Sequence, residues 1–478
     1  MRDVLEDLLD AAVGRADYAD ARHVRTAREL VSVRDGAVHE LRSDESEGIG
    51  VRVRVGGAWG FAAVRGSSPR EAQGALRQAL AVAEAQPSSR GSQLAPEPPA
   101  QGSWQSPVER DPFEVPLEEK LAVLTAAAQA LGREPAVAVA GARFNAYRTD
   151  KAFASSEGSY CEQRLTECGG GIAATAVDED EAQIRSYPAS HGSGVTQAGF
   201  EHFTGLRLVE EAPRVAAEAA ELLRAPACPA GVTTLILAGE QLGLQIHESV
   251  GHAVELDRVM GREASYAGTS YLAPDSAGSF RVGSPLMNIT ADATVHGGLG
   301  SFRWDDEGVE AQAVPIVRGG VLEGFLSSRE TAAEIGLERS GGCMRADGFA
   351  RQPIVRMTNV NLEPGEAGSL DDLIADTDRG ILIETNRSWS IDDRRLRFRF
   401  EGEAAWEIAG GRRTRLLRNP SYAGVTPEFW SGLDAVCSSP AWELASLTDC
   451  GKGEPGQYGH VSHGSAPARF RGVEAGVA

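Results

Sequence analysis

The chain has 478 residues, more than one hydrophobic core usually organises, which implies two domains of roughly 200 to 250 residues each. Its apolar content of 42% and charged content of 24% are ordinary for a globular protein and call for no disorder-dominated class. A formal net charge of −21 argues against general binding to nucleic acid or to an anionic membrane, since both would be repelled by such a surface.

No stretch approaches the ~20 apolar residues of a membrane span. The start, Met1-Arg-Asp-Val-Leu-Glu-Asp, has acids where a signal peptide needs a cationic region, so the expectation is a cytoplasmic protein. Six cysteines, at positions 161, 168, 228, 343, 437 and 450, show no pairing rhythm and read as reduced thiols.

In chain order, Val4, Leu5, Leu8, Leu9, Ala12 and Val13 follow helical spacing over residues 3–15. Strand patterns follow at 29–33, 37–41, 50–55 and 59–64, with turns at Asp35-Gly36 and Gly56-Gly57. Ser67-Ser68-Pro69 opens a helix running to about residue 85. Residues 86–113, rich in Pro, Ser and Gln, read as a loop excursion inside the first domain. A helix is predicted at 117–131, then strands from 136 to 174 interrupted at Gly169-Gly170-Gly171, which read as a flexible turn, and a closing helix at 208–224.

The segment Ala225-Pro-Ala-Cys-Pro-Ala-Gly231 is the best boundary, giving an N-terminal α+β domain (1–226) and a C-terminal domain (227–478). Strand patterns at 232–238, 286–290, 314–317, 321–326, 381–385, 396–401, 404–408 and 414–417 make the second half mainly antiparallel β. Gly319-Gly320 and Gly410-Gly411 read as its hairpin turns, and the loop from Gly268 to Pro274 as one wall of a cleft. Asp305-Asp306-Glu307 reads by default as a solvated loop. The end, Cys450-Gly-Lys-Gly to His463-Gly-Ser-Ala-Pro, shows no periodicity and reads as a Gly-rich loop whose backbone approaches a site.

The chemistry concentrates in Leu244-Gln-Ile-His247-Glu248-Ser-Val-Gly-His252-Ala-Val-Glu255. In a His-Glu-x-x-His helix the two imidazoles share one face and can hold a metal, with the Glu beside it as general base. Here the spacing is five, so on a regular helix the second His would sit roughly 140° around from the first. A π-type turn or a break restores the shared face, and Gly251 is the residue that tolerates it most easily. Catalytic zinc generally takes three protein ligands. With His247 and His252 as two, side-chain chemistry leaves the third open among Cys450, His460, His463 and Glu255.

The runs from His247 to Glu255, Trp304 to Gly308, Arg356-Met-Thr-Asn359 and Cys450-Gly-Lys-Gly resemble the TldD/PmbA family of zinc metallopeptidases, on its TldD, catalytic side. PmbA-type members lack the His-Glu-x-x-x-His motif, so its presence is the specific part of the likeness, which spans nearly the whole chain. The resemblance implies a two-domain TldD-like fold, a Zn2+ cofactor, Cys450 as third ligand, Glu248 as general base and hydrolysis of extended peptides. It raises the expectation that Asp306 lies near the cleft, with Glu255, His460 and His463 as further cleft residues. It also implies a homodimer or a heterodimer with a PmbA-type subunit. The segment from Asn386 to Arg395 is charged and aromatic where some members are Gly-rich. Two other functions suit the same residues: a hydrolase for a small amide conjugate, or a non-catalytic partner subunit that keeps zinc.

Overall fold

The computed structural model describes residues 1–86, 93–190, 194–266 and 268–476. Its first half is built on an eight-stranded sheet with spatial order 58–65, 37–55, 18–34, 137–155, 160–177 and 101–105. Two shorter strands, Ala182–Tyr187 and Val195–Thr196, also pair with residues 160–177. Tyr18–Arg34 and Ala37–Val55 are single strands of 17 and 19 residues, where the sequence suggests shorter pieces. Residues 37–45 are exposed on both faces of the sheet, so apolar alternation fails there, and diagonal cross-strand ion pairs such as Arg25 with Glu45 help hold the two strands together. Asp35 and Gly36 both take positive φ, the requirement of a tight hairpin turn.

All four long helices pack on one face of this sheet. Arg2–Ala12 and Pro69–Glu84 cover one end, and Leu117–Leu131 and Leu208–Leu222 the other, each pair closing its own apolar core. The opposite face is left to meet the second half of the chain. Within the expected excursion at 86–113, residues 87–92 lie outside the described residues, while Gln101–Gln105 returns to the sheet as a parallel partner of 160–164. Gly169-Gly170-Gly171 is not a turn. It runs inside the strand Tyr160–Val177, and a Cβ on Gly169 or Gly170 would come within 2.0 Å of a neighbouring carbonyl oxygen, so the run is bare because other backbone crosses there.

The second half contains a nine-stranded sheet ordered 386–391, 397–402, 421–425, 468–475, 231–237, 379–383, 404–409 and 412–418, with 433–436 paired to 468–475. Only the contact between 231–237 and 379–383 is parallel, so the fold class is α+β with mostly antiparallel sheets. A four-stranded sheet (321–322, 313–318, 289–292, 359–362) and a hairpin of Glu443–Lys452 with Gln457–Ser465 complete it. That hairpin corrects the loop expected at the C-terminal end. Glycine obscures its pattern because large side chains lie flat on it: a Cβ on Gly459 would be 2.7 Å from the Arg356 guanidinium, and one on Gly464 1.7 Å from the Trp442 ring. Among the described residues no helix is long and apolar enough to cross a membrane.

Asp305-Asp306-Glu307 is likewise no solvated loop. All three are buried and join the halves: Asp306 binds Arg22 at 3.3 Å and Lys151 at 2.6 Å, Glu307 binds Arg52 at 3.3 Å, and Asp305 caps the backbone N–H groups of Glu307, Val309 and Met344. A short acidic run looks solvated in sequence because the cations that bury it lie some 150 to 290 residues away.

Candidate metal centre

The strand Gly231–Leu237 in the middle of the nine-stranded sheet runs into a buried helix, Gly239–Ile246. At His247 the helix widens into a π-helical turn through Gly251, and His252–Val254 then tightens to a 3₁₀ turn. The extra residue brings the two imidazoles to one side, with ring centroids 4.6 Å apart. Gly251 itself keeps ordinary helical dihedrals. It is glycine because a Cβ would lie 2.2 Å from the sulfur of Met357.

Hydrogen-bond partners assign the proton on each ring. His463 Nδ1 faces the Val360 carbonyl at 2.8 Å and must donate to it, so its Nε2 accepts from His247 Nδ1, also at 2.8 Å. The Nε2 of His247 is then a bare lone pair. His252 Nδ1 donates to Glu255 Oε2 at 2.9 Å, which frees its Nε2 towards the sulfur of Cys450, 3.6 Å away. Burial lowers the pKa of all three imidazoles and keeps them neutral, the form a metal needs.

Glu255 is fully buried between Arg258 at 3.3 Å and Lys452 at 3.4 Å, and Lys452 also bonds Asp257 and the Val355 carbonyl. Burial works to raise its pKa, but Lys452, His252 and Arg258 outweigh that and hold the carboxyl well below its usual range. Burial likewise opposes ionisation of Cys450, while the Arg356 guanidinium pulls the thiol down. Arg356 also donates to the carbonyl of Cys450, pinning the strand that carries it. The donor atoms of His247, His252 and Cys450 lie within 4.8 Å of one another and all three are buried. Two neutral imidazoles and a thiol biased towards thiolate are a donor set suited to zinc.

Residues 230–475 match the PmbA/TldA metallopeptidase C-terminal domain, 110–225 its central domain and 19–85 its domain 1. The chain belongs to the PmbA/TldA metallopeptidase family. It is 30% identical to a metalloprotease of Methanocaldococcus jannaschii over 94% of both chains. It is 26% identical to a zinc metalloprotease TldD homolog of Saccharolobus solfataricus over 43% of this chain and 44% of that one. Its fold matches the crystal structure of TldE from Thermococcus kodakarensis with a TM-score of 0.73, at 15% identity over 99% of each chain. The family resemblance read from the motifs is thus borne out.

In this metallopeptidase Glu248 sits on the π turn, buried, with Oε2 accepting from Arg395 Nη1 at 2.6 Å. Arg395 lies in the turn between strands 386–391 and 397–402 with φ of 61°, and Thr426 binds its carbonyl. The loop at 268–274 docks on the same turn through Thr269 N–H and the Asp393 carbonyl. Arg395, Arg356, Arg258 and Lys452 were invisible as site residues by motif reasoning. Their only sequence signals were the unusual charge of 386–395 and the presence of Arg356 and Lys452 inside the family runs.

His460 and His463 differ by three positions on one strand and therefore face opposite sides of it. His463 backs His247, whereas His460 pairs with Glu167 of the first sheet and stacks edge-on against Tyr147. His460 lines a cavity of about 640 Å³ between the free face of the first sheet and the hairpin. Histidines 247 and 252 do not line that cavity, although Asp449 and Arg356, which flank or touch Cys450, do. Asp306 is buried beneath it, bonded to Lys151, which lines it.

Proposed function

We propose that the chain is a zinc-dependent peptidase in which His247, His252 and Cys450 hold the ion and Glu248 is the general base. The observation that carries this reading is the convergence of two imidazole lone pairs and the Cys450 sulfur beside the Glu248 carboxylate. A zinc ion bound there supplies Lewis-acid polarisation of the scissile carbonyl. His463 and Glu255 fix the ring orientations of His247 and His252, and Arg395 fixes the rotamer of Glu248. Glu248 then takes the proton of the attacking water and returns it to the leaving amine. A structural metal site would have no use for that carboxylate, which separates this reading from a silent, metal-keeping subunit.

The substrate is an extended peptide, which can pair through its backbone with strand edges beside the site. The fold shared with TldE supports assembly as a homodimer or with a PmbA-type partner. Division of the chain near residue 226 is supported by the parting of the family matches between 225 and 230. The test is Glu248→Gln: it should fold and keep zinc while peptide turnover drops by about 10²- to 10⁴-fold, the usual contribution of a positioned base. Turnover near the wild-type rate would remove Glu248 from the mechanism.

A further inference from the structure

The large cavity is unusually cationic for a chain of net charge −21. Arg28, Arg143, Arg345 and Arg356 all line it, and none makes an ion pair with a carboxylate among the described residues. The contrast is on the same wall, where Arg148 and Lys151 are satisfied by Asp111 and Asp306. Among the described residues Arg345 and Arg356 donate only to backbone carbonyls. Arg28 lies over the Tyr147 ring, and Arg143 is exposed on the strand 137–155. The Nε atoms of Arg28 and Arg356 are buried with no acceptor.

The carboxylates that share the cavity are mostly committed. Glu167 is held by His460, Asp347 accepts from the Tyr458 N–H, and the Asp305 oxygens are taken by three backbone N–H groups. Asp449 remains, exposed at the rim. A partly buried guanidinium without a counter-ion has lost hydration that neutral backbone carbonyls replace only in part. A planar carboxylate, which guanidinium binds through two parallel N–H donors, is the anion that restores it.

The position of the cavity says where that carboxylate comes from. Arg356 forms part of its wall and touches the backbone of Cys450, and Asp449 at the rim precedes Cys450 directly. An extended chain advances about 3.3 Å per residue, so a peptide at the metal centre reaches the cavity within its next few residues. We propose that this arginine-lined cavity is a subsite for a carboxylate carried by the peptide substrate close to the scissile bond. The assignment rests on the peptidase reading above and narrows its substrate class to acidic peptides or peptides held by a free C-terminus.

Three fluorogenic peptides of one sequence separate these sources on the zinc-loaded protein: one with Glu and an amidated end, one with Gln and an amidated end, and one with Gln and a free carboxylate. At least one carboxylate peptide should exceed the neutral one in kcat/KM by about tenfold, a difference of about 1.4 kcal/mol. In Arg143→Glu that ratio should fall to one or below, and Arg28→Gln should reduce it part-way. Which carboxylate peptide responds tells side chain from terminus. Equal turnover of all three, or a preference that survives Arg143→Glu, overturns the assignment. If no peptide is cleaved, the peptidase reading fails by itself, and fluorescence polarisation of the same labelled peptides decides the subsite. Tighter binding of a carboxylate peptide that Arg143→Glu removes then upholds it, and equal binding sinks it.

Discussion

His463 offers a sharp test of how the site is held, because it touches no reacting group and acts only through His247. His463→Leu keeps the bulk of the side chain but leaves two buried groups without partners, the His247 Nδ1–H and the Val360 carbonyl, each now bonded at 2.8 Å. At about 1–3 kcal/mol per orphaned buried group, the folded protein should lose roughly 2–6 kcal/mol of stability. With its acceptor gone, His247 is free to carry its proton on Nε2 instead, the atom that the metal needs. Loss of such an orienting partner typically costs about 10- to 100-fold in metal affinity, or ~1.4–2.8 kcal/mol. His463→Gln, whose amide can accept from His247 and donate to Val360, should recover most of that affinity. Competition with a chromophoric zinc chelator reads the affinity, and thermal unfolding of the metal-free protein reads the stability. Wild-type zinc affinity in His463→Leu, or the same loss in both variants, would refute the tautomer chain.

Cys450→Ala should abolish zinc retention after dialysis, whereas Cys437→Ala, a core thiol with no exposed surface, should retain it and lose only packing energy. Zinc stoichiometry by emission spectroscopy checks both. Arg22→Ala strips one cation from the fully buried Asp306 and should destabilise the protein by about 3–5 kcal/mol in chemical denaturation; a change below 1 kcal/mol would show that Lys151 alone satisfies Asp306. Burial lowers the pKa of His202, against its hydrogen bond to the Gly194 carbonyl. The unfolded chain therefore binds that proton at higher pH than the folded one, and stability falls as pH drops below about 6.5, levelling off at the folded value. His202→Gln should flatten that part of the stability–pH curve, and an unchanged slope would exclude His202 as a source of it.

Much of the site is legible in the sequence because it is local. His247, Glu248, His252 and Glu255 lie within nine consecutive positions, and the five-residue spacing calls for a π-type turn or a break, of which His247–Gly251 adopts the first. Helices 69–84, 117–131 and 208–222 and most strands of the second half were likewise written in apolar periodicity, and with them the α+β class. What sequence could not separate was Cys450 from His460 and His463, since all three occupy one glycine-rich stretch. Strand pairing sets them apart in space: the hairpin brings the Cys450 sulfur within 3.6 Å of His252 Nε2, places His463 behind His247 and turns His460 to the cavity. The partners that tune the site are equally beyond local reading, because Arg356, Arg395 and Lys452 meet Cys450, Glu248 and Glu255 across 94, 147 and 197 positions of chain. Periodicity reports which face of an element is buried; which ions meet inside the fold is set by long-range packing, where desolvation gives each buried charge only the partners that topology brings to it.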